Sequence, residues 1–283
     1  MLTTVTTAHD LRFVINAWRK KNKTIGFVPT MGALHDGHMA LVKRAQSLAD
    51  HTIASIFVNP LQFGPTEDLS RYPRPLEADQ KRLESAGCDV LFTPSVEEMY
   101  PEGFATQIDP GPLATVLEGA IRPSHFAGVA TVVTKFLMMV RPDYACFGEK
   151  DYQQLQVIHQ IVRDLAIPVS IVPVPIVREA DGLALSSRNA YLSPDERVKA
   201  PLLSKTLFDV AEKLRAGADI DATLESARKR LTDSGFTPDY LVLADSHTLA
   251  PLNKVMKDAR LLVAARLGTT RLIDNIAVNE TEK

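Results

Sequence analysis

The segment Pro29-Thr30-Met31-Gly32-Ala33-Leu34-His35-Asp36-Gly37-His38 concentrates groups able to handle phosphate. It follows a short apolar run, Thr24 to Val28, that reads as a buried strand. It precedes a stripe of Leu41, Val42, Ala45 and Leu48, which predicts a helix from about Gly37 to Ala49. In an open parallel sheet, ligands bind at the carboxyl ends of strands. The following helix start adds unpaired N–H groups and the positive end of a dipole, which suit an anion. Gly32 and Gly37 remove side chains where a ligand approaches the backbone. His35 and His38 lie three apart, so on a helical first turn both imidazoles share a face and can donate to phosphate oxygens. The spacing Gly32-x4-Gly37 matches a Walker A loop, but His38-Met39 replaces its Lys-Ser/Thr, and GxGxxG is absent. Zinc would need a third and a fourth ligand, and no HExxH motif supplies them. The plain alternative is a solvent-facing helix start with two incidental histidines.

Two further turns carry donors. Phe147-Gly148-Glu149-Lys150-Asp151 follows an expected strand over Asp143 to Phe147 and precedes an expected helix over Tyr152 to Leu165. Gly148 frees the backbone, Lys150 supplies a cation, and Asp151 suits either a helix cap or a contact to Mg²⁺ or ribose. Leu185-Ser186-Ser187-Arg188-Asn189 sets hydroxyls before a guanidinium, the makings of a phosphate clamp. Each alone reads equally well as a capped helix start with solvated charges. Three donor-rich turns in one chain favour a shared phosphate ligand. Cys146, inside its strand, reads as core rather than nucleophile.

The elements that must position these turns alternate. Thr7 and Asp10 resemble a capping box before Leu11, Val14, Ile15 and Trp18 at helical spacing. Strands are expected at Thr52 to Val58, Asp89 to Phe92 and Val169 to Val172, with helices at Leu76 to Ala86 and Phe126 to Val140. Strands separated by helices imply right-handed crossovers and a parallel sheet, hence a doubly wound α/β domain. His125 precedes a helix, in a loop expected to border the cleft, and its role is left open. Nine of the eighteen prolines fall between Pro60 and Pro123, so long, stiff connections lie there. Asp195 to Arg215 and Ala222 to Leu231 are amphipathic and charged, whereas Tyr240 to Ala244, Leu261 to Ala265 and Arg271 to Val278 are strand-like. That segregation predicts a smaller α+β domain. The division expected is 1–178 and 179–283, and the tail Glu280 to Lys283 is expected to fray.

Composition excludes several classes. The 283 residues are 45% hydrophobic and 23% charged, enough to bury a sizeable core. Thirty-two basic residues against 34 acidic ones argue against a nucleic-acid partner. Two distant cysteines build no disulfide framework or CxxC metal site, which suits a cytoplasmic setting. The sequence opens without a basic region and apolar run, so no secretory signal is expected. The longest mostly apolar stretch, Val129 to Val140, contains Lys135 and is too short to span a bilayer, so no membrane partner is expected.

A strand, then His35-Asp36-Gly37-His38, then a helix is similar to the HxGH signature of nucleotidylyl-transferring α/β enzymes. The chain more closely resembles the pantothenate synthetase (pantoate–β-alanine ligase) family. The motifs that carry this are Pro29 to His38, Ser55-Ile56-Phe57-Val58-Asn59-Pro60-Leu61-Gln62-Phe63, Arg71-Tyr72-Pro73-Arg74, Leu117-Glu118-Gly119, Phe147 to Gln154, and Gly182 to Asn189. They run in family order over about residues 25–190; the C-terminal part matches mainly through Arg271-Leu272-Ile273-Asp274-Asn275.

The resemblance implies a Rossmann-like nucleotide domain with a smaller lid, and a two-step reaction. ATP adenylates (R)-pantoate with loss of pyrophosphate; β-alanine then displaces AMP. It implies catalytic roles for His38, His35, Lys150 and Arg188, with Lys150, Arg188, Ser186 and Ser187 on the β- and γ-phosphates. Met31 to His38, Gly148 to Asp151, Val177 and Leu185 become nucleotide-binding positions. Gln62 and Gln154, with Asn59, become the pantoate site, since an amide can donate to a carboxylate and accept from hydroxyls. Mg²⁺ is expected with ATP but without a direct protein ligand, and a homodimer is implied. An acyl adenylate hydrolyses easily, so the Pro-rich loops and second domain are expected to close over it. The rival readings are another HxGH nucleotidylyltransferase, against which the Gln62 and Gln154 contexts speak, and a non-catalytic nucleotide-binding protein, which has no need of both histidines, Lys150 and Arg188.

Overall fold

The continuous apolar runs of the first half form a parallel sheet, because strands covered on both faces have no polar side to alternate. In the computed structural model, which describes residues 1–65 and 67–279, six strands share that sheet. They are β1 (Thr3–Val5), β2 (Ile25–Thr30), β3 (His51–Ile56), β4 (Val90–Phe92), β5 (Tyr144–Gly148) and β6 (Ser170–Val174). Their order is β1-β4-β3-β2-β5-β6, and every pairing is parallel. Helices α1 (Ala8–Arg19), α2 (Asp36–Gln46), α3 (Leu76–Ser85), α4 (Val96–Met99), α5 (Glu118–Ile121), α6 (His125–Val140) and α7 (Tyr152–Asp164) make the connections. The chain leaves β2 toward β3 on one side and leaves β5 toward β6 on the other. The carboxyl ends of β2 and β5 therefore flank the topological switch point, where open α/β sheets bind ligands.

The chain forms two units, Met1–Glu149 with Gln153–Pro175, and Lys150–Tyr152 with the residues from Ile176 onward. In the first, the Thr7 side chain accepts the Asp10 N–H at 3.1 Å and starts α1, as the sequence spacing predicts. Phe136 of α6 packs its ring against Phe27 and Phe92 beneath it, at 5.8 and 6.1 Å between centroids. Helix α6 also crosses the 3-10 turn Pro60–Gln62 at Gly128. A Cβ there would lie 2.2 Å from the Leu61 carbonyl oxygen, so only glycine permits the approach that seats this turn.

In the second unit, β7 (Phe236–Asp245), β8 (Ala259–Leu267) and β9 (Thr270–Ala277) form an antiparallel sheet. Helices α8 (Pro194–Lys199), α9 (Leu202–Arg215) and α10 (Ile220–Asp233) precede it. Leu207, Leu214, Leu231, Phe236, Leu241 and Leu261 belong to its core. The charged stretch Asp195 to Arg215 falls in two helices, divided at Pro201, whose ring cannot continue a helix and lacks an N–H. Strand β7 is twice the length that sequence suggests, because a register shift between Pro238 and Tyr240 accommodates the proline. Glu280 to Lys283 lie outside the described residues.

Candidate active site

The turn after β2 is built on left-handed backbone at Gly32 (φ +85°) and Ala33 (φ +50°). Alanine there costs on the order of 1 kcal/mol, and Asp79 of α3 holds it in place. This carboxylate is 2% exposed and accepts the Ala33 and Leu34 N–H groups at 2.8 Å each. Burial pushes the Asp79 pKa up, against the pull of those two bonds and of Arg82. The Ala33 and Leu34 amides thus serve the turn itself. Nothing local in the sequence marks Asp79, which reads as an ordinary charge on an amphipathic helix.

His35 follows with extended backbone (φ −133°) and caps α2, which begins at Asp36. The two histidines are therefore not both on a helical turn, as the spacing suggests. Their rings still meet, at 4.1 Å between centroids, because the cap folds His35 back over the first turn. The His35 N–H donates to His38 Nδ1 at 3.2 Å. An accepting Nδ1 puts the His38 ring proton on Nε2, so His38 is a neutral N–H donor whose tautomer the backbone sets. Asp36 is exposed and pairs with exposed Arg82 at 3.1 Å, a contact worth little.

Beside this turn lies a buried polar network. Gln62, 7% exposed, donates from Nε2 to the Met31 sulfur at 3.0 Å, and its Oε1 accepts from Asn59 Nδ2 at 3.1 Å. Asn59 is 1% exposed. It also donates to the Gly128 carbonyl at 3.1 Å and accepts from the Tyr100 hydroxyl at 2.7 Å and the Leu61 N–H at 3.2 Å. Its amide is saturated by protein partners and orients Gln62. The Gln62 carbonyl contacts His125 Nδ1 at 2.9 Å and accepts from Arg122 Nη2 at 3.4 Å, and Arg122 forks onto Glu67 at 2.7 and 2.6 Å. Tyr100, Arg122 and Glu67 escape sequence reasoning because their partners lie 41 to 60 residues away. His125 opens α6 inside the core.

Burial pushes the His125 pKa down to about 4, and neighbouring Arg122 acts in the same direction. The ring is neutral and gives its Nδ1–H to the Gln62 carbonyl. On acidification the unfolded chain takes up this proton near the ordinary value of about 6.5, before the folded one does. Stability from this group is complete above that value and is lost as pH falls to about 4, in all about 3 kcal/mol. Between pH 7.5 and 5.0 the share is about 2 kcal/mol. Urea unfolding of His125→Asn, which keeps a donor but does not titrate, is expected to show about that much less acid sensitivity. Equal sensitivity in both proteins contradicts the assignment.

At the end of β5, Gly148 pairs in register with Val174, and Glu149 opens a 3-10 turn, Glu149–Asp151. Gln154 is half-buried in the first turn of α7. Its neighbour Gln153 is buried and pins the preceding loop, accepting the Glu118 N–H at 3.0 Å and donating to the Leu113 and Val116 carbonyls at 2.7 and 2.8 Å.

In the second unit, Val177 to Leu185 form a tight hairpin. The Leu185 N–H donates to the Val177 carbonyl at 3.0 Å, and the Glu179 N–H to the Leu183 carbonyl at 2.8 Å. The hairpin delivers Ser186, whose hydroxyl accepts the Arg188 N–H at 3.3 Å and caps the 3-10 turn Ser187–Tyr191. Lys150, Ser186, Asn189 and Asp274 line one small pocket, so two sequence-distant phosphate candidates share a wall. Asp151 is exposed. Among the described residues no group of three or more His, Cys, Asp or Glu is placed to hold a metal ion, and no helix is long and apolar enough to cross a membrane.

Comparison with known proteins shows which family the chain resembles. The family model for pantoate-beta-alanine ligase matches residues 3–277. The chain is 55% identical to the pantothenate synthetase of Paramagnetospirillum magneticum, over 95% of each chain. It is 54% identical to that of Pseudomonas aeruginosa, over 98% of this chain and 99% of the other. A crystal structure of pantothenate synthetase from Thermus thermophilus superposes with a TM-score of 0.93 at 51% identity, covering 98% of this chain and all of that one. The pantoate-beta-alanine ligase of Francisella tularensis, in complex with beta-gamma ATP and beta-alanine, superposes at 0.83 with 37% identity over 99% of each chain. The chain belongs to the pantoate-beta-alanine ligase family.

Proposed function

We propose that the chain condenses (R)-pantoate with β-alanine through a pantoyl adenylate. In the first step a pantoate carboxylate oxygen attacks the α-phosphorus of ATP, and the bond to the pyrophosphate oxygen breaks. In the second the β-alanine amine attacks the acyl carbon, the bond to AMP breaks, and the nitrogen loses a proton. Such transfers depend on positioning and charge stabilisation more than on covalent help from the protein.

The observation that carries this reading is the 3.0 Å contact between Gln62 Nε2 and the Met31 sulfur. It joins the amide suited to a hydroxy acid directly to the turn suited to nucleotide. In this reading Met31, Gly32, Ala33, Leu34, Asp36 and Gly37 shape the nucleotide turn, while His35 and His38 donate to the phosphates. Lys150 and Arg188, with Ser186 and Ser187, hold the β- and γ-phosphates. Gly148, Glu149, Asp151, Val177 and Leu185 complete the nucleotide contacts. Gln62 and Gln154 hold pantoate, with Asn59 orienting Gln62. Mg²⁺ is expected with ATP, where it would neutralise phosphate charge, and no side chain of this chain is assigned as its ligand. The enzyme works as a cytoplasmic homodimer without nucleic-acid or membrane partners.

A product assay tests this. With pantoate and β-alanine both present, AMP, pyrophosphate and an amide product are expected in equal amounts over many turnovers, whereas pantoate alone yields at most one pyrophosphate per site and no AMP. A nucleotide-linked final product would instead mark another nucleotidylyltransferase, and binding without turnover would mark a sensor.

A further inference from the structure

Strand β9 carries Asp274 and Asn275 side by side, and both are almost completely buried. Asp274 accepts Arg178 Nη1 at 2.7 Å and Nη2 at 2.9 Å, a two-bond fork. Arg178 Nη1 also donates to the Gly182 carbonyl at 3.1 Å. This clamps the hairpin that runs from Val177 to Leu185 and delivers Ser186 and Arg188. Asn275 anchors a different segment. Its Nδ2 donates to the Lys150 carbonyl at 3.0 Å, and its Oδ1 accepts from Arg260 Nη1. Arg260, buried on β8, also lies over the Tyr152 ring, 3.8 Å from its centroid. Residues 150 and 152 are thereby both held to the sheet.

A lysine ammonium on a four-carbon stem is a mobile point charge, so its reach is set by where its main chain is fixed. Two neighbouring residues of one rigid strand fix the main chain at Lys150 and the hairpin before Arg188, segments that lie far apart in sequence. A misplacement of about 1 Å in such a pair of cations costs roughly 100-fold in rate. We propose that Asp274 and Asn275 are positioning residues that set the spacing of Lys150 and Arg188 to match the β- and γ-phosphates of ATP. This inference rests on the phosphate-binding role given above to Lys150 and Arg188. Neither Asp274 nor Asn275 touches substrate in it.

The test uses the full chain with Asn275→Ala, Asn275→Asp and Lys150→Met. Titration calorimetry measures binding of a non-hydrolysable ATP analogue and of AMP, which lacks the two outer phosphates. Asn275→Ala is expected to weaken the ATP analogue about 10-fold, the loss of one well-placed hydrogen bond, and to leave AMP unchanged. Adenylate formation is expected to fall at least as much, while the attack of β-alanine on preformed pantoyl adenylate stays within about two-fold, since AMP leaves without the outer phosphates. Should Asn275→Ala fail to fold, Asn275→Asp keeps an acceptor for Arg260 and removes only the donor to Lys150. Equal losses for ATP and AMP, or in both half-reactions, reveal a merely structural role and overturn the proposal, as does no loss at all. Lys150→Met separates the two claims. If it preserves the preference for ATP over AMP, the phosphate role of Lys150 fails and the proposal with it. If it abolishes that preference while the Asn275 variants keep it, only the positioning role fails.

Discussion

His38→Ala is expected to slow pantoyl adenylate formation by about 10²–10³-fold, the usual loss when a preorganised donor to a developing phosphate charge is removed. The His35 N–H fixes the His38 tautomer, leaving Nε2–H as the donor. That bond is made before substrate arrives, so little reorganisation is needed as charge builds on the phosphates. Folding should change by no more than about 1 kcal/mol, the scale of one lost contact at a helix start, because the ring is half-exposed. His38→Gln keeps an amide donor and is expected to recover part of the loss. Rapid-quench measurement of the adenylate in single turnovers, beside a urea unfolding curve, separates the two effects. A variant that forms adenylate at near-normal rates contradicts the assigned role.

The second large effect is expected at Gln62. Removing its amide deletes a partner for the pantoate carboxylate and hydroxyls, each bond to a charged group being worth about 1.5–3 kcal/mol. Gln62→Ala should therefore raise the KM for pantoate by about 10- to 100-fold, with a change of about two-fold or less in the KM for ATP. The asymmetry follows from the fold. Gln62 lies on the 3-10 turn seated by Gly128, with its carbonyl held by His125 and Arg122, whereas Asp79 independently fixes the nucleotide turn. Equal effects on both substrates would show that Gln62 supports the nucleotide turn instead.

The sheet is legible in the sequence because each buried strand is a run of apolar residues closed by proline or glycine. The three-residue edge strand Thr3–Val5 escapes, being too short to show a period. The break at Pro201 escapes because the charged face continues across it. Residues that could meet phosphate announce themselves through type and spacing. The residues that hold them do not: Asp79 lies 45 positions from Leu34, and Asn275 lies 125 from Lys150. Asn59 stands out by motif, but its saturation by Gln62, Gly128, Tyr100 and Leu61 is a tertiary fact. The helix start one residue early, at Asp36, follows from the capping geometry of His35 rather than from any apolar stripe.

The most direct measurement of the central claim, passage through an acyl adenylate, is isotope transfer. With pantoate carrying ¹⁸O in its carboxylate, each turnover is expected to leave one ¹⁸O in the phosphate of AMP and none in pyrophosphate. Label in pyrophosphate or inorganic phosphate, or unlabelled AMP, would contradict the account.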